Sequence, residues 1–125
     1  MAYDKNNIFA KILRGEIPCR KVYEDEFALA FEDIAPAAPV HVLVVPKGEY
    51  VSFHDFAGSA PPALVRGFFA AVRNVAAQLK ADENGYRIIS NHGADAGQLV
   101  PHFHVHLFAG QQLGRPEKIP VNGDR

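Results

Sequence analysis

Three histidines recur at every second position in His102-Phe103-His104-Val105-His106, and the apolar alternation runs on through Leu107-Phe108 to Gly110. An imidazole titrates near neutral pH, so each ring can serve as nucleophile, proton donor or ligand. Strict alternation over this length predicts a half-buried β-strand. Alternate side chains on a strand share a face, which points all three imidazoles one way and Phe103, Val105 and Leu107 toward a core. Neighbouring rings then stand roughly 6.5–7 Å apart. Polar rings are costly to bury, so a composed chemical surface explains the row better than any folding requirement. A neutral ring attacking an electrophile beside a protonated neighbour is an efficient arrangement. His104, flanked on both sides, is the natural nucleophile. Phosphorus is a suitable electrophile, because phosphoryl and nucleotidyl transfer need donors that spread developing charge. His102 and His106 can supply them.

Metal binding is the main chemical alternative. Two imidazoles at i and i+2 on a strand can hold one Zn²⁺ with a third ligand from elsewhere, such as His41 or an acid. The outer two of three strand histidines lie on the order of 13 Å apart at the backbone, so the full row does not converge on one ion. A bland reading, of strand histidines with satisfied hydrogen bonds, suits one such residue better than three in register.

The elements that must position these residues are readable in outline. Asn91-His92-Gly93-Ala94-Asp95-Ala96-Gly97-Gln98 feeds the histidines; Gly93 and Gly97 let such a loop turn and present N–H groups to an anion. Ile8, Phe9, Ile12 and Leu13 fall at helical spacing before a stop at Gly15. Residues 19–24 and 27–32 read as two strands of a hairpin. His41 to Val45 is a strand that ends at Pro46-Lys47-Gly48. Residues 50–59 are irregular, with room for one helical turn. Pro61-Pro62 opens a long amphipathic helix through Leu79. Residues 86–90 form a further strand. This order, with no βαβ alternation, predicts an α+β domain on an antiparallel sheet of about five strands with two helices.

Composition narrows the class. A chain of 125 residues with 48% hydrophobic content predicts one packed domain, residues 1–125, with a core of about 7–110 and a tail of 111–125. The formal net charge is −1, with acids and bases mixed, which argues against a nucleic-acid platform. No apolar run reaches membrane-spanning length. The polar N-terminus lacks a signal-peptide core, and Cys19 is the only cysteine, so a cytoplasmic setting is expected. Cys19 reads as a small hydrophobe.

The histidine segment fits the His-φ-His-φ-His-φ-φ signature and resembles the histidine triad (HIT) superfamily. Further blocks carry the resemblance: Ile8-Phe9-Ala10-Lys11-Ile12, Gly15-Glu16-Ile17-Pro18, Val22-Tyr23-Glu24-Asp25, Ala30-Phe31-Glu32-Asp33-Ile34, Pro39 through Lys47, Gly85-Tyr86-Arg87, and Asn91-His92-Gly93 through Gly97-Gln98. They span about residues 7–110 and look closest to the Hint branch. The resemblance implies a homodimer whose sheets join into a larger one, acting on a purine nucleotide conjugate of AMP or GMP. It implies cleavage of the P–N bond of nucleoside 5′-phosphoramidates through a nucleotidyl-histidine intermediate. His104 would attack phosphorus, His106 would assist the leaving amine, His102 would orient the nucleophile and His41 would complete the proton network. Asp33 would hold the ribose hydroxyls, a role that suits an acceptor-only carboxylate. Ile8, Phe9, Ile12, Phe31, Ile34 and Leu43 would enclose the base, although core positions look the same in sequence. Asn91, Gly97 and Gln98 would stand near the ribose and phosphate. His54 and His92 match no triad position and read as surface residues.

The chain departs from the pattern twice. Many Hint-branch proteins carry a serine after the glutamine, near the leaving group; here Leu99 stands there. Slower turnover or a changed leaving-group preference follows, with the backbone or Gln98 as partial substitutes. Some bacterial relatives carry an N-terminal cysteine pair that contributes to a zinc site; here Phe9 and Ala10 stand near that place, so no metal or other cofactor is expected. Two other readings stay open: a dinucleoside polyphosphate hydrolase of the Fhit type, against which the N-terminal blocks argue, and a non-catalytic purine-nucleotide-binding regulatory protein.

Overall fold

The computed structural model of the chain describes residues 2–116; most of the 111–125 tail therefore lies outside the described residues. Five strands form one antiparallel sheet in the order β1-β2-β3-β5-β4. They are β1 (Lys21–Glu24), β2 (Ala28–Glu32), β3 (Val40–Pro46), β4 (Arg87–Ile89) and β5 (Val105–Ala109). Helix α1 (Ile8–Leu13) precedes the sheet, and α2 (Phe53–Ser59) and α3 (Pro62–Gln78) lie between β3 and β4. No helix among the described residues is long and apolar enough to cross a membrane.

The sheet buries a different set of side chains on each face, as the period of two demands. Ala28, Ala30, Val42, Val44, Val105 and Leu107 meet Phe68, Ala71, Val72 and Val75 of α3. Gly67 allows this close approach, since a Cβ there would lie 2.4 Å from the ring of Phe27. On the other face Leu29, Phe31, Leu43 and Val45 cluster with Phe9 of α1 and with Val100. Asn7 caps α1 by accepting from the Ala10 N–H at 2.9 Å. Gly15, at φ 78°, carries the chain out of the helix.

Several sequence expectations change. Among the described residues two helices become three, because residues 53–59 form two turns rather than one. The carboxylate of Asp55 accepts from the N–H groups of Val51 and Ser52, which stabilises that helix start. The first and fourth strands are shorter than 19–24 and 86–90, and Cys19 precedes β1. The histidine segment is not all strand: β5 begins at Val105, so only His106 of the three lies in it. The pairing stops at Val44↔Val105. Two residues further on stands Pro46, which has no N–H to donate, and Phe103 donates instead to the carbonyl of Tyr50 at 2.8 Å. The alternation survives in the extended lead-in, with Phe103, Val105 and Leu107 on the α3 face.

Candidate active site

Strand β5 and its lead-in place His102, His104 and His106 on the α1 face, and β3 brings His41 alongside through the pair His41↔Phe108. None of the four is on the surface. His102, His104 and His106 are 0, 2 and 1% exposed and His41 is 5% exposed, so the half-buried strand of the sequence reading is buried on both faces. The reason is aromatic cover. Phe9 of α1 meets the His104 ring edge-to-face at 4.9 Å, Tyr3 covers His102 and Phe108 stacks on His106.

The hydrogen bonds make the three rings unequal. His104 Nδ1 lies 2.7 Å from the carbonyl oxygen of His102. A carbonyl only accepts, so Nδ1 carries the proton and Nε2 carries the lone pair. That Nε2 is buried and has no hydrogen-bond partner among the described residues. Ser90 Oγ donates to the carbonyl of His104 at 2.9 Å and fixes the backbone that bears the ring. Burial holds the His104 imidazole below its ordinary 6.5, against the opposing pull of the His102 carbonyl.

His106 is oriented through His41. The Ala37 N–H donates to His41 Nδ1 at 3.0 Å, so neutral His41 holds its proton on Nε2. His41 Nε2 lies 3.0 Å from His106 Nδ1 and 3.4 Å from Asp33 Oδ2. His106 Nδ1 therefore accepts, and its own proton sits on Nε2. The result is a neutral ring with a lone pair at His104 and an N–H at His106, with ring centres 5.1 Å apart.

His102 is committed elsewhere. Its Nε2 donates to the Pro46 carbonyl at 3.1 Å, and its Nδ1 accepts from the Tyr3 hydroxyl at 2.6 Å. Burial pushes its imidazole down to about 4. The ring is thus a neutral structural group, and the orienting of His104 falls to the His102 backbone carbonyl rather than to its side chain. The expectation that His102 donates to developing charge is corrected on this ground.

A cavity of about 720 Å³ opens beside α1 and the end of β2. Ile8, Phe9, Ile12, Phe31, Ile34 and Leu43, together with Asp33, all line it, as do Ile17, Pro18 and Cys19. Phe31, Leu43 and Phe9 belong both to the wall and to the buried cluster beneath. Ile34 is 88% exposed at the rim. Asp33 is buried, with Oδ1 accepting from the Ala35 N–H at 2.8 Å.

The glycine loop is built differently from the sequence expectation. The Gly93 N–H donates to Gln98 Oε1 at 2.9 Å, and the Gly97 N–H donates to the Ala94 carbonyl at 3.0 Å. Gln98 Nε2 donates to the carbonyls of Val51 and Val100. These groups close the loop on itself and on the start of α2 rather than standing open to an anion. Gln98 is consequently a clamp, and Gly97, at φ 81°, is the left-handed turn that closes a short 3₁₀ segment. Asn91 stands half-buried at the start of this loop, directly after the segment that holds the His104 carbonyl. Leu99 is 67% exposed.

Asp33, His41 and His106 also bring three ligand atoms within 4.8 Å of one another. A cation there would break the His41–His106 hydrogen bond, and the proton chain accounts for the spacing by itself. The sequence offered no signal for Tyr3 or for the carbonyls of Pro46 and His102, because each acts across a long stretch of chain or through the backbone.

The arrangement of a buried, proton-wired histidine row on an antiparallel sheet beside an apolar cavity defines a histidine-triad architecture. The chain belongs to the HIT domain family, whose profile matches residues 14–113. It is 60% identical over 112 residues to an uncharacterised 13.2 kDa HIT-like protein of Azospirillum brasilense, covering 90% of this chain and 92% of that one. Among solved structures, it resembles a HIT family hydrolase from Legionella pneumophila at a TM-score of 0.82 and 37% identity, covering 89% of this chain and 98% of the other. It likewise resembles a histidine triad nucleotide-binding protein from Candida albicans at a TM-score of 0.74 and 34% identity, covering 89% and 83%.

Proposed function

We propose that this protein, of the Hint branch, hydrolyses the P–N bond of purine nucleoside 5′-phosphoramidates through a nucleotidyl intermediate on His104. The observation that carries the reading is the His104 ring: neutral, fixed by its Nδ1–H on the His102 carbonyl, with a buried Nε2 lone pair and no partner for it among the described residues. Two of the similar structures are described as a hydrolase and as a nucleotide-binding protein, which supports the same class.

In this reading the purine lies between the apolar walls of the cavity, and Asp33 accepts from the ribose hydroxyls. His104 Nε2 attacks the α-phosphorus; the N–P bond forms as the P–N bond to the amine breaks. The departing amine needs one proton, which enters from solvent by way of the His41–His106 pair. Water then attacks phosphorus, breaks the bond to His104 and surrenders one proton, so both rings end as they began. Asn91 and Gly97 serve near the sugar and phosphate through the loop that Gln98 clamps. A second copy paired on the β4 edge, where Ile88 is 47% exposed, gives the dimer the resemblance implies.

Steady-state hydrolysis tests the reaction class. Adenosine and guanosine 5′-phosphoramidates are expected to release AMP and GMP, at kcat/KM well above that for a dinucleoside tetraphosphate. Faster cleavage of the tetraphosphate, or tight AMP binding with no turnover of any of these substrates, contradicts the assignment.

A further inference from the structure

We propose that His54 and His92 form a two-histidine site for a borderline divalent transition ion, of the Zn²⁺ class, which ties helix α2 to the glycine loop. The two residues come from separate elements. His54 is the second residue of α2, and His92 lies in the loop between β4 and the 3₁₀ turn. Their rings nevertheless face each other across 5.5 Å, with planes inclined at 40°, and both residues are solvent-exposed.

That spacing suits a shared ion. An imidazole nitrogen bound to zinc at about 2.0–2.1 Å puts its ring centre roughly 3.2 Å from the metal, so two rings at a tetrahedral angle have centres roughly 5.2 Å apart. The observed separation of the ring centres, 5.5 Å, is within a few tenths of an ångström of this. One ring is also oriented from behind. Ser52 Oγ lies 2.5 Å from His92 Nδ1, and Ser52 is itself buried. This is the outer contact that metal-binding histidines commonly make, in which one nitrogen is held so that the other is offered. With Nδ1–H donated to Ser52 Oγ, His92 offers its Nε2 lone pair.

The frame around the pair is fixed. Gln98 holds the loop to the Val51 carbonyl, and Asp55 is engaged by the N–H groups of Val51 and Ser52. Asp55 is thus committed to the start of α2, and solvent would complete the coordination. Two neutral imidazoles favour zinc, nickel or copper over magnesium or calcium, which seek oxygen. The ion would brace the loop that leads into the triad, on the solvent side and apart from the proton chain of Asp33, His41 and His106.

Calorimetric titration of the full chain with Zn²⁺ alone, at neutral pH, tests the site. One ion per chain is expected, with affinity falling at least tenfold in His54→Gln and in His92→Gln and unchanged in His41→Gln. Amide exchange across residues 91–98 is expected to slow on adding Zn²⁺ in the wild type and not in His54→Gln. Metal-free turnover of His54→Gln is expected to match the wild type. Absence of Zn²⁺ binding, or binding lost in His41→Gln and kept in His54→Gln, overturns the proposal. None of these outcomes depends on the phosphoramidase reading.

Discussion

His104 Nδ1 stands 2.7 Å from the backbone carbonyl of His102, and this one contact decides which nitrogen of the central ring is chemically available. A carbonyl can only accept. The ring is therefore held as the tautomer with its lone pair on Nε2, and rotation about the side chain would cost a buried hydrogen bond. The outer rings differ in kind. His102 is pinned to Pro46 and Tyr3, whereas His106 is wired through His41 toward Asp33.

The acid limb of the rate profile follows from His104. The proposed nucleophile acts neutral, and burial holds the His104 imidazole below 6.5. Activity is expected to persist as pH falls through 6.5 and to fail only at lower pH. A kcat/KM profile for an adenosine phosphoramidate, with an acidic inflection at or above 6.5, contradicts this.

His102 makes stability depend on pH in a defined window. Its imidazole is pushed from 6.5 to about 4 in the folded state, with burial as the cause. Between these values the unfolded chain binds the proton and the folded chain does not, so stability falls as pH drops from 6.5 toward 4. The full loss from this one group is about 3 kcal/mol. Urea denaturation across this range checks it; in His102→Asn the slope from this group disappears, on a lower overall stability.

His41 is expected to act on proton delivery rather than on attack. His41→Gln removes the ring that fixes the His106 tautomer and is expected to lower kcat by about 10²-fold. The deficit is expected to shrink for aromatic amine leaving groups, which depart with less need of a proton. An equal loss for alkyl and aromatic amines contradicts the relay.

Leu99 is exposed, and the Hint-branch resemblance implies a serine hydroxyl near the leaving group at this position. Leu99→Ser is expected to raise kcat roughly fivefold, the rate equivalent of about 1 kcal/mol for one hydrogen bond. Unaltered kcat and unaltered leaving-group preference count against a role for this position.

The sequence made the local parts of this design legible. Alternation at 102–108 separated a histidine face from a core face, and helical spacing located α1 and α3. The β5 boundary was hidden because it depends on Pro46, which the histidine segment meets only after folding. The second turn of α2 had a local signal that the irregular composition masked: Ser52 with Asp55 three residues later is a capping pattern. The glycine loop misled for a different reason. Its N–H groups resemble an anion cradle until the Gln98 side chain and the Ala94 carbonyl take them. Asp33 and the six apolar residues share a cavity wall that resemblance alone brought together in advance, since pocket walls and cores share one composition.

The covalent intermediate tests the central claim most directly. Under single-turnover conditions with an adenosine phosphoramidate, rapid quench without acid and peptide mass analysis are expected to find AMP attached to His104. His104→Ala is expected to bind AMP, form no adduct and lose at least 10⁴-fold in kcat. Full activity in His104→Ala, or the adduct on another histidine, contradicts the assignment of His104 as nucleophile.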